Sequence, residues 1–170
     1  MKSITLLASI FTALLFVGCA DSSTAVPKHS KAHFQTVPAS QATLVQKGQG
    51  RDSCIICGMR LQAFYKTNHA ADTKTGTKKQ YCSLHCVVED NEINKTDLVN
   101  VKVVDTNRLK FISAQKAFYV VGSSKPATMS RTSKYAFAKK SEADAFAKQF
   151  GGKVMNLHDA YSASMKDSYR

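Results

Sequence analysis

Four thiols, a thioether and an imidazole fall in two short runs, Cys54-Ile-Ile-Cys57-Gly-Met59 and Tyr81-Cys82-Ser-Leu-His85-Cys86. Thiolate and thioether are soft donors that select Cu(I), with Zn(II) as the main competitor for the thiolates. The runs are a C-x2-C and a C-x3-C, with Cys57 and Cys82 25 positions apart. That pattern admits three arrangements. A closed tetrahedral four-thiolate zinc site would be structural. Disulfides would suit an oxidising compartment. An open Cu(I) site would combine thiolates with a methionine. Met59 favours copper, because zinc has little use for a thioether, and Gly58 lets the backbone turn so that the Cys57 and Met59 sulfurs can face one ion. His85, between Cys82 and Cys86, is a further candidate ligand. The chain is not expected to be an enzyme: no general acid or base accompanies the C-x-x-C, and a thioredoxin-like motif would open a helix after a strand.

The elements that must position these residues follow from pattern. Cys82 and Cys86 are spaced to share one face at the start of a helix, where the positive end of the helix dipole stabilises thiolates. Ser83 is a candidate cap for that helix, with Leu84, Val87, Val88 and Ile93 as its apolar positions. Leu61–Tyr65 has the composition of a short strand, and Thr73–Thr77 is a turn leading to a second strand at Lys79–Tyr81. The β-branched run Leu98–Val104 is a third. The order then recurs. Ala117–Val121 and Lys134–Ala138 are strands, Ser141-Glu-Ala-Asp144 reads as a capping box, Gly151-Gly152 stops the helix at Phe150, and Lys153–Leu157 is a last strand.

The expected fold class is therefore α+β: two tandem small ββαβ units, about 60–105 and 117–158, forming one compact domain over 50–158. Residues 159–170 read as a polar tail.

Upstream, Lys2 and the apolar stretch Ile4–Val17 have the form of a secretory signal over 1–18, too short for a convincing membrane span. Cys19 follows Val17-Gly18 as in a bacterial lipobox, so it is the expected lipidation site and the anchor to a membrane on the periplasmic side. Residues 19–49 carry Pro27, Pro38 and few large apolar side chains, and read as a flexible tether. The formal charge is +12. In an exported chain with scattered Lys and Arg, that charge indicates a solvated basic face or attraction to anionic partners, and no nucleic acid.

Several spaced segments together resemble the NosL family. They are Cys57-Gly58-Met59, Ala117–Ser123 with Met129 beyond it, and Ala136-Phe-Ala138 through Glu142-Ala-Asp144-Ala-Phe146-Ala-Lys148 to Gly151-Gly152-Lys-Val154. The resemblance implies a copper-binding lipoprotein of nitrous oxide reductase maturation, folded as two small ββαβ units. Carried over by motif, it implies Cys57, Met59 and Met129 as metal ligands. Its implied partners are nitrous oxide reductase or that enzyme's membrane assembly proteins. Tyr81–Cys86 departs from the simplest family pattern and is closer to the Y-C-S-x-x-C end of heavy-metal-associated zinc modules. That departure leaves room for a larger thiol cluster that includes Cys54, a second metal, or a branch serving another copper enzyme.

Overall fold

The computed structural model describes residues 33–168. The signal, Cys19 and most of the tether lie outside the described residues. Seven strands and three α-helices follow in order: β1 (His69–Thr73), β2 (Lys78–Tyr81), α1 (Leu84–Glu92), β3 (Leu98–Val104), β4 (Phe111–Ser113), β5 (Phe118–Val121), β6 (Lys134–Phe137), α2 (Lys140–Phe150), β7 (Lys153–Met155) and α3 (Leu157–Ser168). They form two antiparallel sheets, ordered β2-β1-β3-β4 and β6-β5-β7. Each sheet carries a ββαβ unit, as the sequence pattern implies. The first sheet has an additional edge strand, β4, whose three residues are too few to show a period.

Strand β5 separates two interiors, because successive strand residues point to opposite faces. Tyr119 and Val121 join the large core with Leu61, Tyr81, Leu84, Val87 and Leu157. Val120 and Phe118 face a smaller, aromatic core with Tyr135, Phe137 and Phe146 under α2. The sheets are stitched at one corner. Asp105 bridges Ala136 in parallel register, the Thr106 N–H donates to the Ala136 carbonyl, and Arg108 binds both Asp105 and Glu142.

Three local sequence expectations change. Leu61–Thr67 is 3-10 helical rather than a strand, in two short pieces that meet at a kink at Phe64, and it buries Leu61, Tyr65 and Thr67. Ser83 stands at the N-cap of α1, but its hydroxyl makes no capping bond. It is buried without a hydrogen-bond partner among the described residues. Helix α2 begins at Lys140 with no side-chain cap, so Ser141 lies inside its first turn, and Asp144, the acid of the expected box, pairs with Lys140 at 2.8 and 2.9 Å.

The outer stretches of the described residues are also built into the fold. The tail is helix α3, which turns the Leu157, Ala160 and Ser164 positions inward and brings the Tyr161 hydroxyl to Glu92 and Asn91 of α1. Its inward positions are mostly small or polar, so hydropathy alone does not reveal it. The tether ends early as well. Phe34 packs edge-on against Tyr135, Val37 is buried, and the Gln80 side chain accepts from the Val45 N–H and donates to the Thr43 carbonyl.

Candidate metal centre

Residues 52–61 form a tight closed loop. Its base is a bridge between Ser53 and Arg60 and a Leu61 N–H to Asp52 carbonyl bond of 2.8 Å. Inside, the Cys54 N–H donates to the Met59 carbonyl at 2.8 Å and the Gly58 N–H donates to the Cys54 carbonyl at 2.9 Å. Gly58 has φ +73° with open space where a Cβ would stand, so the backbone angle alone demands glycine there. The loop holds Cys54 and Cys57 on one knuckle.

The facing pair comes from the β2–α1 junction, where Cys82 precedes the helix and Cys86 sits in its first turn. All four Sγ atoms lie within 4.8 Å of one another. Three separations are shorter still: Cys57–Cys82 at 3.5 Å, and Cys82–Cys86 and Cys57–Cys86 at 3.7 Å. No disulfide joins these four cysteines. Cys54, Cys82 and Cys86 are 3, 0 and 0% exposed and belong to the large core, whereas Cys57 is half-buried.

The thiols perturb one another. Contact with Cys54 and Cys86, then burial, raises Cys82 well above an ordinary thiol. Contact with Cys54, reinforced by burial, raises Cys86. Cys54 is lowered, first by Cys82 and Cys86 and further by the backbone N–H groups of Cys57 and Cys82. A bound cation would override these mutual effects, because coordinating thiols are deprotonated outright.

The junction carrying Cys82 and Cys86 is itself pinned. The Tyr81 hydroxyl donates to Asp90 at 2.8 Å, and Asp90 also accepts from Lys79 at 2.8 Å and Thr96 at 2.8 Å. The Thr67 hydroxyl donates to the Cys82 carbonyl at 2.8 Å and lies 3.0 Å from Thr128 Oγ1. Neither support is visible in the sequence: Asp90 reads as an ordinary helix-surface acid, and nothing in the spacing links Thr67 to Cys82 or Thr128.

The remaining candidates divide. Met59 is half-buried and packs against the core that contains the thiols. Met129 lies on the β5–β6 loop, one residue beyond Thr128, 39% exposed and at φ +54°, a left-handed conformation uncommon for a side chain of its size. His85 is not in the thiol group; its Nε2 lies 3.8 Å from Glu89 Oε2 along α1. His69 is fully buried, donating from Nδ1 to the Thr67 carbonyl at 3.0 Å and sharing a 3.2 Å bond with the Tyr119 hydroxyl.

Fold and site together define a small α+β protein that gathers soft metal ligands in a preformed cluster. The chain belongs to the NosL family, whose sequence pattern matches residues 45–165. It is similar to the crystal structure of the copper chaperone NosL from Shewanella denitrificans, with 26% identity and a TM-score of 0.56 over 74% of this chain and 99% of that one. No curated protein matches the chain. Among the described residues no helix is long and apolar enough to cross a membrane.

Proposed function

We propose that this protein is an exported, lipid-anchored Cu(I) metallochaperone rather than an enzyme. Its cargo goes to an exported cuproenzyme, with nitrous oxide reductase or its membrane assembly machinery as the recipient. Family membership and likeness to the copper chaperone NosL from Shewanella denitrificans support the cargo. The observation that carries the reading is local. Of four clustered thiols only Cys57 reaches towards solvent, and it is followed at once by Gly58 and Met59. A charged soft ligand and a thioether thus stand two residues apart on a half-buried loop that an incoming ligand can approach. Delivery needs such access, because a partner's sulfur must enter the coordination shell before the donor's leave. Met129, exposed on a loop tied through Thr128 to Thr67 and so to Cys82, is the third sulfur we assign to copper. Cys19, acylated, would hold the protein at the membrane where that recipient is assembled.

The test is transfer. Anaerobic Cu(I)-loaded protein mixed with copper-free nitrous oxide reductase should lose copper to it, and Cys57→Ser should abolish the transfer. A loaded protein that keeps its copper in the presence of the apo-enzyme overturns the recipient. A wild-type protein that fails to compete with chelators for Cu(I) overturns the cargo.

A further inference from the structure

Resting on the lipid-anchor reading above, we infer that a ledge made by Phe34, Lys66, Lys125 and Phe150 docks on the anionic phosphate headgroups of the leaflet that carries the anchor. The Lys66 and Lys125 ammonium groups stand 4.2 and 4.8 Å from the centre of the Phe34 ring, and Lys125 also lies 3.9 Å from that of Phe150. All three distances fall within the reach of cation–π attraction. The rings thus gather two long cationic side chains over one aromatic surface. All four residues are half-buried, so apolar ring surface stays accessible beside the two cations. Lysines next to aromatic rings are the composition of a surface that lies in a headgroup layer.

The two cations lack a counter-charge. Lys74, Lys78, Lys79, Lys134 and Lys140 each pair with an aspartate, whereas among the described residues no carboxylate pairs with Lys66 or Lys125. Burial first, then repulsion from Lys125, lowers the Lys66 ammonium below its usual value. An anionic group between the two would offset that repulsion and favour the charged form of both.

Position along the chain selects lipid over an acidic protein. Phe34 follows Cys19 by fifteen residues, which span at most about 50 Å when fully extended. An acyl group at Cys19 therefore keeps the ledge within that distance of the leaflet, whatever path the chain takes. Between the two the sequence carries Lys28 and Lys31 against one acid, Asp21, so positive charge continues from the ledge towards the anchor. An acidic protein would have to reach the ledge from solution, whereas tethering holds headgroups beside it at high effective concentration.

Headgroup contact also orients the β5–β6 loop. The Gln35 side-chain amide donates to the Pro126 and Ala127 carbonyls at 2.9 and 3.3 Å, and the Tyr135 hydroxyl donates to the Pro126 carbonyl at 2.7 Å. Lys125 and Met129 thus belong to one loop clamped beside Phe34. Docking of the ledge brings the loop that bears Met129 to the membrane surface.

The experiment uses the acylated full-length chain, reconstituted into vesicles of phosphatidylcholine alone or of phosphatidylcholine mixed equally with phosphatidylglycerol. Each basic residue at an anionic leaflet strengthens contact about fivefold. With two lysines, amide hydrogen exchange in residues 34–36 and 123–125 should be about tenfold slower, or more, on the anionic vesicles. Salt at about 1 M should erase the difference. Lys66→Glu combined with Lys125→Glu should erase it as well, with the chain still anchored to both vesicles. If that double variant fails to fold, the wild-type contrast between the two vesicles decides. Equal exchange on both vesicles, with the chain anchored to each, overturns the inference and leaves the anchor reading intact; it is the result expected if the ledge receives an acidic protein instead. Protection that the charge-reversed variant retains also overturns the inference. A chain that floats with neither vesicle overturns the anchor reading, and the inference falls with it.

Discussion

The two interiors of this molecule are stabilised by different physics. Beneath α2, the rings of Phe34, Tyr135, Phe137, Phe146 and Phe150 meet at centroid distances of 4.8–6.2 Å, in tilted and edge-on arrangements. Such burial is large and needs no partner from outside the chain. Around α1, the interior is lined by three buried thiols and by the buried polar groups Asn68, His69, Gln80 and Asp90. These side chains contribute only if every hydrogen bond is made and the sulfurs are reconciled. The aromatic interior is thus a scaffold, and the thiol interior is a site that the scaffold holds in place. Carriage of a metal calls for such a division, because the protein must survive a change of occupancy.

The largest expected effect breaks the scaffold. Phe146→Ala should cost about 3–5 kcal/mol, as for other buried Phe truncations, and the loss measured by urea denaturation should be the same with and without metal. A loss that changes with metal would show that the two interiors are not separable.

Next comes pH, which acts on the thiol side. Burial lowers the His69 imidazole from 6.5 to about 4. Between those values the unfolded chain binds a proton that the folded chain refuses. Stability is therefore complete above pH 6.5 and declines as pH falls towards 4, by about 3 kcal/mol from this group. His69→Gln should flatten that part of the stability profile, whereas Phe146→Ala should lower the whole curve without changing its slope.

Metal removal should be somewhat smaller and local. A bound ion stabilises by mass action, about 2.7 kcal/mol at a hundredfold excess over its dissociation constant. Chelation should raise amide hydrogen exchange in residues 53–60 and α1 while leaving β5, β6 and α2 protected. Exchange rising equally in all of them would make the metal a folding requirement of the whole domain.

The smallest effect sharpens the boundary between ligand and core. Met59→Leu conserves volume, so it should cost less than about 1.5 kcal/mol of stability. It should nevertheless weaken Cu(I) binding about tenfold or more in chelator competition. Unchanged affinity with a lowered melting temperature would assign Met59 to packing alone.

The candidate site was more legible in the sequence than the ends of the fold. Soft ligands at C-x2-C-G-M and C-x3-C spacing declare metal chemistry because few other environments need those residue types together. The helix start at Leu84 and the glycine stop after Phe150 are local events, governed by a few neighbouring dihedrals. The expected tether and tail failed for the opposite reason. Phe34 earns its order from Tyr135, about a hundred positions away, and α3 from contacts with α1 through small or polar residues whose composition matches that of a solvated segment. The Ser141 cap failed because the helix already begins at Lys140, which leaves Ser141 inside the first turn and pairs Asp144, the acid of the expected box, with Lys140.

By itself, then, the sequence determined the ligand types, the turn at Gly58 and the alternation of strands and helices, since each depends on neighbours within one or two turns of chain. Tertiary structure alone decided that the sulfurs of Cys54 and Cys57 meet those of Cys82 and Cys86 within 4.8 Å, that Cys57 is the member facing outward, and that His85 is not one of the group. Those distances are set by where a closed loop and a helix dock on a common core, and docking is a sum of long-range packing that no local pattern encodes.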